Sequence, residues 1–330
     1  MTVLVTGGAG YIGSHMVWEL LEAGDSVIVL DRLSTGFDWA VPPEARLVVG
    51  DIADQSLVRQ TIERNYVDAV IHFAGSVVVP DSVRDPLAYY ENNTCKSRAL
   101  IEAVVKSDVK NFIFSSTAAV YGDAGMKPVT EDASPRPESP YGVSKLMTEW
   151  MLRDTASAHD FNYTALRYFN VAGADPKGRT GQSTRGATHL IKVACETALG
   201  KRPYMEIFGH DFPTPDGTCV RDYIHVTDLV AAHRKALERL RAGGSSMVAN
   251  CGYGRGFSVK EVIESVERVH GKPIDARLTV RRPGDAASVV ADSTKARLDL
   301  GWKPALDDLD TIVESALKWE RALQHRNNKG

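Results

Sequence analysis

A chain of 330 residues with a net charge of −3, 43% hydrophobic and 25% charged, reads as an ordinary globular protein of one large or two modest domains. The near-neutral balance speaks against nucleic acid or an anionic membrane surface as partner, and no apolar run is long enough to span a bilayer. Four scattered cysteines without a CxxC pair and nine histidines without an HExxH pattern predict reduced thiols, a cytoplasmic location and no metal.

Met1 leads straight into a buried strand, Thr2-Val-Leu-Val-Thr6, which is unlike a secretory leader. The run Gly7-Gly-Ala-Gly-Tyr-Ile-Gly13 follows, then an amphipathic helix from about Ser14 to Ala23. The second strand is Ser26-Val-Ile-Val-Leu30, ending on Asp31. Arg46–Val49 reads as a third strand running into Gly50-Asp51-Ile52, with a helix from about Asp54 to Arg64. Asp68–Ile71 is a fourth strand, leading into His72-Phe-Ala-Gly75. Helical patterning covers roughly Pro86 to Ser107. Asn111–Phe114 is a fifth strand ending on Ser115-Ser-Thr117; a Pro-rich loop, a helix from about Tyr141 to His159 and a sixth strand, Tyr163–Arg167, complete the first half. The alternation predicts an α/β fold with a doubly wound parallel sheet. The second half is less regular. Helices are expected near Ala187–Leu199, Asp228–Arg241, Val259–His270 and Asp308–His325, with Ser258 and Glu261 forming a capping box. Gly252, Gly254 and Gly256 suggest a turn rather than a phosphate cradle. The division expected is a first domain over 1–170 and a smaller α/β substrate domain over 171–330, with parts of 220–255 returning to the first.

The first strand, turn and helix carry a chemical meaning. Gly7 suits the tight turn out of the strand, Gly10 lets backbone approach a pyrophosphate, and Gly13 lets helix pack on strand. Free N–H groups at the helix start, around Tyr11 and Ile12, then face the anion. Asp31, 18 residues past Gly13, can accept from ribose hydroxyls and repel a 2′-phosphate, which favours NAD over NADP; Arg32 beside it argues the other way, since it can pair with that phosphate. A glycine turn alone suits other α/β proteins, but strand, helix, second strand and acid in sequence select a dinucleotide. Ligands of such sheets gather at the carboxyl ends of the strands, so Gly7, Asp31, Asp51, Phe73 to Gly75 and Ser115 to Thr117 are expected to line one crevice.

Tyr141 and Lys145, in Ser139-Pro-Tyr-Gly-Val-Ser-Lys145, share one face at a helix start. A free tyrosine, with a pKa of about 10, is a poor base at neutral pH. A nearby ammonium lowers that pKa, giving a base for an alcohol proton as hydride leaves its carbon. Thr117 offers a hydroxyl to bridge substrate and tyrosine. A surface tyrosine and lysine at helical spacing is the alternative, disfavoured by the dinucleotide pattern that precedes it.

The glycine turn, the Tyr141/Lys145 pair and Ser115-Ser-Thr117 resemble the extended short-chain dehydrogenase/reductase family, a Rossmann-type fold. Further stretches resemble its UDP-glucose 4-epimerase branch: His72–Gly75, Tyr89-Tyr-Glu-Asn-Asn93, Asn111–Ser116 with Val120-Tyr-Gly-Asp123, Leu166-Arg-Tyr-Phe-Asn170, Ile207-Phe-Gly209, Asp216 to Val226 and Arg281-Arg-Pro-Gly-Asp285. The likeness runs from about residue 1 to 320. It implies a bound NAD that is not consumed, a base at Tyr141, and a 4-keto sugar that turns over about its diphosphate link before the hydride returns. By the same resemblance the cofactor would be held by Gly7, Gly10, Tyr11, Ile12, Gly13, Asp31, Asp51, Ile52, Phe73, Ala74, Gly75, Asn92, Ser115, Tyr141, Lys145 and Tyr168. The UDP-sugar would meet Thr117, Tyr141, Asn170, His189, Leu190, Glu206, Phe208, Arg221, Arg282, Asp285 and Val289. Asn170, Arg221 and Arg282 would bind the diphosphate, arginine being suited to phosphate oxygens. Asp285 would accept from the uridine ribose and Phe208 would lie near the uracil. Family members build a homodimer from the helices near Pro86–Ser107 and Tyr141–His159; Met147, Trp150 and Met151 would be that surface, or core.

The sequence also departs from the family. Thr117 stands in place of serine and keeps the hydroxyl. Val77 replaces a lysine that contacts the cofactor, and His189 an asparagine at the diphosphate. Val289 replaces a bulky tyrosine that narrows the sugar pocket, so N-acetyl sugars are expected beside UDP-glucose. A 4,6-dehydratase would need an Asp-Glu pair after the threonine, where Ala118-Ala119 stand. A UDP-pentose or UDP-uronic acid 4-epimerase and, more remotely, a non-catalytic nucleotide-sugar sensor stay open.

Overall fold

The structure, a computed structural model, describes residues 1–282 and 285–327. Strands β1 (Thr2–Thr6), β2 (Ser26–Asp31), β3 (Arg46–Val49), β4 (Ala69–His72), β5 (Asn111–Thr117) and β6 (Asn162–Tyr168) come first in the chain. They alternate with helices α1 (Tyr11–Glu22), α2 (Gln55–Asn65), α3 (Val79–Arg84), α4 (Pro86–Tyr89), α5 (Lys96–Val105) and α6 (Pro140–Ala158). The later elements are β7 (Asn170–Ala172), α7 (Leu190–Ala198), β8 (Met205–Phe208), β9 (Val220–His225), α8 (Val226–Arg241), β10 (Met247–Cys251), β11 (Gly256–Ser258), α9 (Val259–His270), β12 (Ala276–Thr279), β13 (Ser288–Val289), α10 (Thr294–Asp299) and α11 (Leu309–Asn327).

Seven strands form one parallel sheet in the order β3-β2-β1-β4-β5-β6-β10. This is the doubly wound arrangement, with its switch point between β1 and β4. Alternation along β1 shows why the strands read as unbroken apolar runs. Val3 and Val5 join Met16 and Leu20 of α1 and Leu229 of α8 on one face; Leu4 joins Val58 of α2, Leu100 of α5 and Leu152 of α6 on the other. The seventh strand, β10, comes from late in the chain and pairs with β6, and α8 packs along α1.

A smaller α/β unit sits at the carboxyl ends of these strands. β9 pairs with β7, β11 and β13, and β8 pairs with β12. Helices α7, α9 and α11 share a core of Ile191, Val262, Ile312 and their neighbours. Helix α9 starts at the expected capping box: Ser258 Oγ accepts from Glu261 N at 3.1 Å and Glu261 Oε2 accepts from Ser258 N at 2.7 Å.

One expected element differs. The helix read over Pro86–Ser107 runs on from α4 to α5 but widens between them into a π-helical segment over Tyr90–Cys95. The extra residue per turn leaves apolar periodicity nearly intact, so the pattern alone does not reveal it, and such widenings often mark functional positions.

Candidate active site

The glycine turn is built by exclusion. Gly7 has φ +72°, and a Cβ there would stand 2.6 Å from Ala74 N. A Cβ on Gly13 would stand 2.1 Å from the Gly7 carbonyl oxygen. Gly10 is different: its Cβ would find only that same carbonyl, at 3.2 Å, and it precedes α1 without a side-chain cap. The helix start is thereby left bare for an anion. Asp31 is fixed beside the turn, where its Oδ2 accepts from Ala9 N at 3.0 Å and its Oδ1 from Leu33 N at 2.8 Å. Arg32 donates to Ser34 Oγ at 3.0 Å and stands 3.8 Å from the Asp51 carboxylate, which also binds Lys96 Nζ at 2.5 Å. Ile52 is buried in the sheet's core, and Phe73 packs on His233 with ring centroids 4.9 Å apart.

The second group gathers where β5 meets α6. Ser139 caps α6, its Oγ accepting from Gly142 N at 3.2 Å, and Pro140 opens the first turn. Tyr141 and Lys145 follow one turn apart, both buried. Thr117 stands close enough to the Tyr141 phenol to hold its pKa down in part, and its Oγ1 accepts from Ala119 N at 3.1 Å. Lys145 Nζ donates to the Ser115 carbonyl at 3.0 Å and lies 4.9 Å from the Phe114 ring centre. Ser115 Oγ donates to Tyr168 OH at 2.8 Å. A Cβ on Gly75 would stand 3.6 Å from Lys145 Nζ, so the end of β4 closes the same space.

The electrostatics differ from the sequence expectation. Burial pushes the Tyr141 phenol above its ordinary range, Tyr168 adds to this, and Thr117 offsets part of it. Lysine was expected to lower that pKa; instead its ammonium is engaged by the Ser115 carbonyl, and burial brings Lys145 itself down to about 8. It remains mostly protonated at neutral pH.

Asn92, assigned to the cofactor, donates to Ser76 Oγ at 2.9 Å. Its neighbour Asn93, which the sequence reading passed over, is buried and holds the loop after β4. Its Oδ1 accepts from Ser76 N at 2.7 Å, and its Nδ2 donates to the Ser76 carbonyl and to Ser144 Oγ. The π-helical widening turns Asn93 inward, a geometry that spacing does not show.

Asn170, His189 and Leu190 line one cleft together with Tyr11 of the glycine turn, Lys192 and Tyr223. Arg221 Nη1 donates to the Val220 carbonyl at 2.8 Å, and Val289 lies in register beside it on the neighbouring strand. Arg282 stacks over Phe208 at 4.5 Å and pairs with Asp285 at 3.0 Å. Arg282 and Asp285, expected to make separate contacts on the nucleotide, pair with each other. Pro283 and Gly284 of that motif lie outside the described residues. Glu206 is exposed on β8. Among the described residues no three metal-ligating side chains stand together, and no helix is long and apolar enough to cross a membrane.

A doubly wound sheet with a bare glycine turn, an acid at the end of β2 and a buried Tyr/Lys pair beside a strand-end threonine defines a dinucleotide-dependent protein of the dehydrogenase type. The chain belongs to the NAD dependent epimerase/dehydratase family, whose model matches residues 3–252. It is 55% identical to the UDP-glucose 4-epimerase of Azospirillum brasilense over 98% of this chain and 92% of that one. Among solved structures, UDP-glucose 4-epimerase from Brucella ovis in complex with NAD matches with a TM-score of 0.93 at 43% identity, covering 96% of this chain and 97% of that one. The UDP-Glc/GlcNAc 4-epimerase from Campylobacter jejuni matches with a TM-score of 0.84 at 45% identity, covering 97% and 99%.

Proposed function

We propose that this protein is an NAD-dependent 4-epimerase of UDP-hexoses that interconverts UDP-glucose and UDP-galactose. The observation that carries the reading is the buried Thr117–Tyr141–Lys145 group at the mouth of a dinucleotide fold, in a chain alike over nearly its whole length to UDP-glucose 4-epimerases.

The residues present fit NAD. Gly10 leaves the start of α1 open to a pyrophosphate, and Asp31 is fixed where a ribose would lie. Arg32, engaged by Ser34 and Asp51, is occupied elsewhere than at a 2′-phosphate. NAD held there would supply a reversible hydride acceptor for the sugar C4. Tyr141 takes the proton of the 4-hydroxyl, with Thr117 bridging phenol and sugar, and returns it to O4 of the inverted product. Lys145 holds the end of β5 beside the phenol through its hydrogen bond to the Ser115 carbonyl. Asn170, His189, Arg221 and Arg282 grip the diphosphate, so that the 4-keto sugar swings while the nucleotide stays. Phe208 and Asp285 complete the uridine side.

Val289 is small where it meets the strand carrying Arg221. We assign N-acetylhexosamine acceptance to that space, in line with the similarity to a UDP-Glc/GlcNAc enzyme. A pentose substrate is the second reading, favoured by a likeness at 38% identity to the UDP-glucose-4-epimerase of Stenotrophomonas maltophila, solved with NAD and formylated UDP-arabinopyranose. The test is turnover by the purified protein, without added NAD, of UDP-galactose, UDP-N-acetylgalactosamine and UDP-arabinopyranose in parallel. Activity on the first is expected. Activity on the pentose alone would overturn the hexose assignment.

The same reading includes a cytoplasmic homodimer. Its support is the apolar exposure of Val83, Leu87 and Trp150, on α3, α4 and α6, which pack together. Light scattering is expected to give twice the chain mass, and a monomer would contradict this. The four cysteines are free thiols, in keeping with a reducing compartment.

A further inference from the structure

Behind the Tyr141/Lys145 face lies a buried polar chain that the reaction does not use. Glu149 follows Lys145 by one helical turn on α6 and is 4% exposed. Its Oε1 accepts from Ser116 Oγ at 2.5 Å and from Arg167 Nε at 3.0 Å, and its Oε2 accepts from Arg167 Nη2 at 2.6 Å. Arg167, 5% exposed, sits on β6 opposite Ser116 of β5. Its Nη1 donates to Tyr121 OH at 2.9 Å, and that hydroxyl donates to Asn250 Oδ1 of β10 at 2.7 Å. One helix and three strands are thus joined by a single connected network.

Three members adjoin the catalytic face in the chain: Ser116, Arg167 and Glu149, the last one turn after Lys145. Ser116 lies between Ser115, whose carbonyl holds Lys145, and Thr117, which closes β5 beside Tyr141. Arg167 precedes Tyr168, which receives the Ser115 hydroxyl. Stability does not account for such a pair, because two buried charges lose about as much hydration as they regain, and apolar replacements are often as stable. A bidentate arginine fork does impose geometry: it fixes distance and angle together. Misplacing a reacting group by about 1 Å lowers a rate by about a hundredfold.

We propose that the Glu149–Arg167 pair, with Ser116 and Tyr121, positions the catalytic face: it sets the register of α6 on β5 and β6, and so where Lys145 and Thr117 stand around Tyr141. These are positioning residues, acting through others, and their effect on turnover rests on the epimerase reading above.

The test compares Glu149→Gln, Ser116→Ala and the apolar double variant Glu149→Met/Arg167→Met with wild type. Turnover, the KM for the UDP-sugar, melting temperature and the rate of Lys145 acetylation by acetic anhydride, followed by mass spectrometry, are measured for each. The double variant is expected to melt near wild type yet keep a kcat at least about tenfold lower, with KM within about twofold. Lys145 is expected to be acetylated faster in Glu149→Gln than in wild type, but not in Ser258→Ala, which loosens a distant helix. Recovery of kcat together with melting temperature in the double variant would reduce the pair to a structural role. Should that variant not fold, wild-type kcat and acetylation rate in both Glu149→Gln and Ser116→Ala would overturn the proposal. Absence of turnover in wild type would defeat the reaction assigned, whereas the acetylation ratios judge the positioning separately.

Discussion

Tyr141 and Lys145 pull in opposite directions on the pH axis. Burial raises the phenol and lowers the amine, which stands at about 8. The charged amine is the form that donates most strongly to the Ser115 carbonyl, so its deprotonation weakens that hold on the catalytic face. Turnover is therefore expected to fall as pH rises past about 8, two units before a free lysine would titrate at about 10.4; a kcat profile flat to pH 10 would contradict this. Tyr141→Phe removes the proposed base and leaves the cleft's shape. It is expected to lower kcat by about 10²–10⁴-fold while UDP binding, read by calorimetry, is retained. Val289→Tyr is expected to abolish turnover of the N-acetyl sugar and spare UDP-galactose, and equal loss of both would refute the role given to that position. At this scale Tyr141, Lys145 and Thr117 were legible from residue type and spacing. Asn93 was not, because its inward place depends on how the π-helical segment turns rather than on which residues it holds.

Elements carry the site because their ends are fixed. Helix α6 begins at Ser139, two residues before Tyr141, and the cap sets the direction of the turn that bears the phenol. Ser139→Ala is expected to cost about 1 kcal/mol of stability, seen as a lower melting temperature, and to reduce kcat beyond what that loss explains; an unchanged kcat would show that the cap only stabilises. The sequence predicted this helix start, the capping box of α9 and the six early strands, since caps, glycines and apolar runs are local signals. It read Pro86–Ser107 as one helix because a π-helical turn alters apolar periodicity by a single residue. That interruption is where Asn93 reaches Ser76 and Ser144, so the missed irregularity belongs to the site.

The whole molecule follows from where two late segments of chain go. β10 completes the main sheet and α8 covers it, while β7, β9, β11 and β13 build the neighbouring unit from residues on both sides of that return. Tyr11 of the glycine turn lines one cleft with Asn170, His189 and Tyr223 of the later chain. Such a site suits a reaction that removes a hydride and restores it before product leaves. The most direct test is turnover of UDP-galactose deuterated at C4, in ordinary water. UDP-glucose that keeps the deuterium at C4 is expected, because hydride leaves and returns without meeting solvent. Product with deuterium replaced by solvent hydrogen would contradict the oxidation and return at C4 on which the whole account rests.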